Sequence, residues 1–216
     1  MVEILLEGTL QTLYMVFVSV FFASLMGIPL GLILVVTDRG HILENHYLKN
    51  CLSFIINILR SVPFIILLVT IIPLTRLIVG TAIGTTASIV PLTLAATPFV
   101  ARVTETALKE VPWGVVEAGL AMGGSKPYVL FKIILREGRS ALIRGITITT
   151  VNLISYSAMA GMVGGKGLGD LAIRYGYQGR NTTILYSTVL ILILLVQIVQ
   201  HTGNFLANKF DKSKIN

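Results

Sequence analysis

The sequence predicts an all-α integral membrane protein: one transmembrane domain with five spanning helices. Three observations predict it. Of the 216 residues, 54% are hydrophobic and only 12% charged, about half the charged share of a soluble domain. The mean hydropathy is +0.84. Apolar runs of about eighteen residues or more recur, the length that crosses a hydrocarbon core of about 30 Å. These runs are continuously apolar, which argues against the alternating strands of a membrane β-barrel.

The first run, 10–36, is longer than a straight crossing needs, so it must tilt or leave its first turn at the interface. Gly27 and Gly31 flank Pro29 and form a small-xxx-small pair suited to close helix packing with a kink. The second run, 52–72, contains Arg60-Ser61-Val62-Pro63. Counted from Leu52, Arg60 sits two turns deep, where a lipid-facing charge is costly, so it should face protein or water or snorkel to the interface. Pro63 leaves a carbonyl unpaired one turn earlier, near Leu59. Arg60 and Pro63 therefore mark either the membrane boundary of a kinked helix or a gate or motor contact.

The third run, 85–103, is interrupted by Pro91 and Pro98 and diluted by Ser88, Thr93 and Thr97. Such a span suits a protein-lined interior better than lipid. The fourth, 143–163, is the most polar, with Thr147, Thr149, Thr150, Asn152, Ser155, Tyr156 and Ser157, and is expected beside a water-filled path. The fifth, 184–207, is strongly apolar through Val199. The Gly-rich stretch 161–179 between the last two spans reads as a flexible external loop.

The formal charge is +7. The basic residues cluster in loops, so they are read as setting orientation and not as a nucleic-acid surface. With alternate loops on opposite sides, Arg76, Lys166, Arg174 and Arg180 fall on one side, and the remaining 13 of the 17 Lys and Arg residues fall on the other. The basic side should be cytoplasmic, with the N-terminus outside and the C-terminus inside. Met1-Val2-Glu3 lacks the positive start of a cleavable signal, so the first span is expected to direct insertion itself.

Between spans three and four lies a polar segment, 108–136. Pro112 suits a first helical turn. The residues from Trp113 to Met122 read as a short helix, with Trp113, Val116, Leu120 and Ala121 on one face and Glu117 pointing away from it or along its edge. Gly123-Gly124 ends that helix, and Ser125 and Pro127 start a second one. A helix, a glycine turn and a helix form either a knob for a cytoplasmic partner or an amphipathic segment lying on the membrane surface.

This segment resembles the signature of ABC importer permeases: Glu-Ala-Ala, three residues, Gly, nine residues, Ile, one residue, Leu-Pro. Glu117, Ala118, Gly123, Ile133 and Leu135 match at the right spacing. Gly119 stands at the third position, and Arg136 replaces the proline, which is expected to leave the second helix running straighter into span four. The stretches Arg60–Leu68, Ile89–Thr93 and Tyr156–Gly161 resemble the methionine-type permeases in particular. The resemblance implies the type I ABC importer permease fold in the cytoplasmic membrane of a prokaryote. It implies a homodimer, two copies of a cytoplasmic ATPase that bind ATP and Mg, and an extracytoplasmic binding protein that delivers substrate. Glu117, Ala118, Gly119, Gly123, Ile133 and Leu135 would then couple the permease to the ATPase, with 108–136 as the coupling region. For a methionine path, span four offers Asn152, Ser155, Tyr156, Ser157 and Met159. Met159 suits a thioether and Tyr156 a hydroxyl contact or a gate. The same residues would equally pack a dimer seam.

This chain itself is expected to be neither enzyme nor cofactor carrier. Gly165-Lys166 fails as a phosphate loop, because Ala160 stands where its first glycine should be and Gly167 where Ser or Thr is needed. His41, His46 and His201 show no metal-ligand grouping, and Cys51 is the single cysteine. An autonomous secondary carrier would need an inverted repeat or intramembrane acidic groups, and neither is visible. Another amino acid or small metabolite remains an alternative cargo.

Overall fold

A computed structural model describes residues 1–211, which contain helices and no strand. Helix α1, Val2–Val36, has 35 residues and is therefore about 52 Å long at 1.5 Å per residue. It starts ahead of the apolar run, its first turns carrying Glu3 and Glu7. Its chain is helical across Pro29.

The second predicted span is broken, not merely kinked. Helices α2, His46–Ser61, and α3, Phe64–Thr70, meet at 97°. Pro63 has no N–H to continue the ladder, and Val62 before it is pushed to an extended conformation, φ −79° and ψ 123°. Asn45 caps α2 by accepting a hydrogen bond from the Leu48 N–H at 3.0 Å. Helix α4, Ile72–Val79, follows and ends at Gly80, whose φ is +83°. Among the described residues, four helices are long and apolar enough to cross a membrane, and the broken pair makes a fifth if taken as one span.

Helix α5, Thr85–Lys109, stays continuous through Pro91 and Pro98 and forms the centre of the bundle. Some 56% of its most apolar stretch is buried, against 11% for the last helix. Helix α1 packs along α5 through Gly27 and Gly31. A Cβ at Gly27 would lie 2.7 Å from Val100 Cβ, and one at Gly31 would lie 2.5 Å from Thr104 Cβ. Only glycine allows that approach, which is the packing a small-xxx-small pair provides. The shared core holds Met15, Leu92, Ala96, Val100, Leu153 and Ile154.

Between α5 and the next long helix lie α6, Trp113–Ala121; α7, Lys126–Tyr128; a π-wound stretch, Val129–Ile134; and α8, Leu135–Glu137. Helix α9, Arg139–Ala160, then packs against α5 and the last helix.

The 161–179 stretch is not a loose loop. It forms a π turn, Gly161–Gly165, then α10, Leu168–Asp170, running into a π-wound segment, Leu171–Gln178. The Gly167 N–H donates to Gln11 Oε1 at 3.0 Å, and the Leu168 N–H to Thr12 Oγ1 at 2.9 Å. Leu168 is fully buried. Its glycines let backbone approach backbone, which turns an apparently flexible composition into a packed hairpin. Helix α11, Thr182–Lys209, closes the fold and presents mostly apolar side chains outward, as a lipid-facing helix does.

Candidate functional site

The 108–136 segment folds as helix, glycine turn and helix. Helix α6 ends in a Schellman motif. The Gly123 N–H donates to the Leu120 carbonyl at 3.0 Å and the Gly124 N–H to the Gly119 carbonyl at 3.1 Å. Gly123 takes φ +80°, which the left-handed cap requires. Ser125 Oγ then accepts from the Tyr128 N–H and starts the return helix.

The inward face of α6 is Val116, Gly119 and Leu120; Trp113 and Ala121 are exposed. A Cβ on Gly119 would come 2.3 Å from Ile133 Cδ1, so the glycine is the socket into which Ile133 seats. Val116, Val129 and Ile134 join Leu32 and Val35 of α1 and Leu108 of α5 in one apolar cluster. The segment is thus bolted to the ends of α1 and α5. Of the six motif residues, Glu117, Ala118 and Gly123 face outward, while Gly119 is buried and Ile133 and Leu135 are half-buried in the packing beneath. Arg136 is exposed, and the hydrogen-bond ladder passes it: the Gly138 N–H bonds the Ile134 carbonyl and the Leu142 N–H bonds the Gly138 carbonyl, each at 2.9 Å.

A charge network lies beside this segment. Lys109 bridges Glu105 at 2.9 Å and Asp38 at 2.8 Å, and Asp38 also pairs with Lys49. Arg102 reaches Glu105 at 2.5 Å and donates to Ser53 Oγ and Asn57 Oδ1 on α2 at 2.9 and 2.7 Å. Burial pushes the Asp38 carboxyl up, but hydrogen bonds from Lys109, Lys49 and the Arg39 N–H outweigh it and hold the group well below the usual carboxylate range. The network ties the loop after α1, the end of α5 and helix α2 together. The i, i+3 and i, i+4 spacing of Arg102, Glu105 and Lys109 was the sequence signal for its α5 part; nothing local pointed to Asp38.

Arg60, and Val62 and Phe64 on either side of Pro63, line a cavity of about 210 Å³ between α2, α3, α5 and α9. Its wall includes Arg60, Val62, Phe64, Phe99, Asn152 and Tyr156. Phe64 and Tyr156 stack with ring centroids 4.7 Å apart and planes 5° from parallel. The break at Val62-Pro63 supplies irregular backbone where it lines a cavity, the one place in a bilayer where that is tolerated.

The five path candidates of span four do not share a face. Asn152 and Tyr156, one turn apart, line this cavity. Ser155 and Met159 line a separate, apolar groove with Met162 and Ile193. Ser157 is buried and bonds the Ile154 carbonyl at 2.7 Å. Thr147, Thr149 and Thr150 each bond the carbonyl four residues back at 2.8–2.9 Å, so much of the span's apparent polarity is absorbed by its own backbone. Phe64 and Phe99 were not singled out from the sequence; their positions one residue after Pro63 and Pro98 were the available hint.

The family model for binding-protein-dependent transport system inner membrane components matches residues 27–215. A probable D-methionine transport system permease protein from Vibrio cholerae is 52% identical over 97% of this chain and 93% of its own length. The protein of the same description from Pasteurella multocida is 50% identical over 94% of both chains. A chain from the inward-facing MetNI methionine ABC transporter superposes with a TM-score of 0.96 at 45% identity, covering 98% of each chain. With a family model spanning most of its length and relatives at about half identity, this chain belongs to the family of binding-protein-dependent transport system inner membrane components.

Proposed function

We propose that this chain is the permease subunit of an ATP-driven methionine importer. Two copies form the translocation path in the cytoplasmic membrane of a prokaryote. Two cytoplasmic ATPase subunits bind ATP with Mg, and an extracytoplasmic binding protein delivers the cargo. The N-terminus lies outside, and the basic ends of α5 and α9 face the cytoplasm.

The observation that carries this reading is the compact knob built by α6 and its return helix. It exposes Glu117, Ala118 and Gly123 and is fixed by its apolar underside to α1 and α5. A push on such a knob moves the helices it is bolted to, because packed elements transmit displacement as rigid bodies. The Asp38–Lys109–Glu105–Arg102 chain carries the same motion to α2, which borders the cavity. Methionine as cargo rests on the likeness, across nearly the whole chain, to D-methionine transport permeases and to the methionine ABC transporter.

Uptake of labelled L- and D-methionine into proteoliposomes holding this chain, its copurifying ATPase and its delivery protein tests the reading. Accumulation is expected only with ATP. Glu117→Lys combined with Gly123→Asp should lower it by about tenfold or more, the equivalent of ~1.4 kcal/mol of docking free energy, while membrane insertion stays intact. Full uptake by the double variant would remove the docking role.

A further inference from the structure

We infer that the cavity beside the broken helix is a transit site for a zwitterionic amino acid, with the Arg60 guanidinium holding its carboxylate. The inference rests on the importer reading and adds a ligand and an assignment of chemistry to a specific place.

Depth is the first argument. Within the apolar runs 85–103 and 143–163, Phe99 lies four residues and Asn152 nine residues from the basic edge, about 6 and 14 Å inside it at 1.5 Å per residue.

Charge is the second. Among the described residues no carboxylate pairs with Arg60. Glu105, the acidic residue of α5, is already held by Arg102 and Lys109. What Arg60 does meet is the face of Phe99, at 5.6 Å from the ring centroid. An unpaired cation at this depth is costly and points to a functional counter-ion. A guanidinium presents a planar fork that suits a carboxylate bidentately.

The remaining wall completes the match. The Asn152 amide and the Tyr156 phenol make no hydrogen bond to described residues, so their oxygens are available to an ammonium group. The Phe64–Tyr156 stack offers an apolar surface to a short side chain. The volume of about 210 Å³ is smaller than a drug-sized pocket and restricts the site to a single small solute. The other groove of α9, lined by Met159, Met162 and aliphatic residues with Ser155 and Gln197, has no charged group to hold a carboxylate.

The test uses the complex of this chain with its copurifying ATPase in lipid nanodiscs, without delivery protein. Binding of L-methionine and of L-methioninamide, which lacks the carboxylate, is compared for wild type, Arg60→Gln, Arg60→Lys and Tyr156→Phe. Wild type should prefer the acid by about tenfold or more, as a charge-assisted pair requires. Arg60→Gln should erase that preference, Arg60→Lys should retain part of it, and Tyr156→Phe should weaken acid and amide together. If Arg60→Gln does not insert, Arg60→Lys carries the test through a reduced acid preference with unchanged amide binding. An unaltered acid preference in either Arg60 variant overturns the proposal. A wild-type complex that imports methionine in proteoliposomes yet binds acid and amide equally also overturns it, and leaves the importer reading standing. Acid-over-amide preference for a different amino acid, with no methionine uptake, keeps the site and overturns the cargo.

Discussion

Gly123 in one connecting segment of α9 and Gly161 and Gly169 in the other are glycine for opposite reasons. In the α6 knob, Gly123 adopts φ +80° to close a helix cap, and a Cβ there would meet nothing within 4 Å. In the 161–179 hairpin, Gly161 and Gly169 are crowded: a Cβ on Gly161 would lie 2.4 Å from the Asp170 nitrogen, and one on Gly169 would lie 2.4 Å from the Ala158 Cα and carbonyl oxygen. The first glycine serves local backbone conformation, and the others serve tertiary approach. A local requirement leaves a pattern in the adjacent residues; a tertiary one leaves only a composition that looks flexible.

Substitution separates the two. Gly169→Ala should have the largest effect, near the upper end of the ~1–3 kcal/mol range for overpacking, because backbone on both sides cannot give way. A fall of several degrees in the unfolding midpoint of the detergent-solubilised protein would show it, and an unchanged midpoint would refute the close approach. Gly123→Ala should come next, at about 1–2 kcal/mol for a left-handed alanine. Its signature is faster proteolysis at residues 122–125 with the membrane bundle unaffected. Gly119→Ala in the same knob should cost less, since the obstructing atom, Ile133 Cδ1, ends a flexible side chain and can turn aside.

The smallest expected effect is a pH response where the knob meets the first loop. His41 packs edge-on to Trp113, with ring centroids 5.3 Å apart. Burial lowers the His41 pKa, with Asp38 raising it in part and Lys109 lowering it further. The folded state therefore favours the neutral ring. Its contribution is complete above the unfolded value of about 6.5 and is lost as pH falls through the depressed folded value. The fluorescence of Trp113, the single tryptophan, should change over that acidic range and cease to do so in His41→Phe. A pH-independent signal in the parent would exclude the contact as a sensor.

The same distinction explains what could be read in advance. Glu117, Ala118 and Gly123 were legible because a helix cap and its flanks are written within a few residues. Gly119 and Ile133 were recognised by spacing, but their roles as socket and plug required the two helices to be folded together. Arg60 was visible as a charge inside an apolar run. Its place on one cavity wall with Asn152 and Tyr156 was not, because those residues lie far along the chain and share that cavity only where α2, α5 and α9 converge. The broken second span was underestimated for a related reason. Pro63 predicts a lost hydrogen bond, while the direction α3 takes after the 97° bend is set by its packing against α5 and α9.

By itself the sequence determined that this chain is a helical membrane bundle, which of its connecting segments carry most of the positive charge, and where its glycine-turn knob lies. These follow from hydropathy, charge distribution and capping, all of which act over one helix or less. Tertiary structure alone decided that the 161–179 glycine stretch is a clamped hairpin, that the hydroxyls of span four bond mainly their own backbone, and that Arg60 faces a cavity shared by four helices. Those outcomes depend on which distant surfaces come within a few ångströms, and close packing, not local preference, sets that.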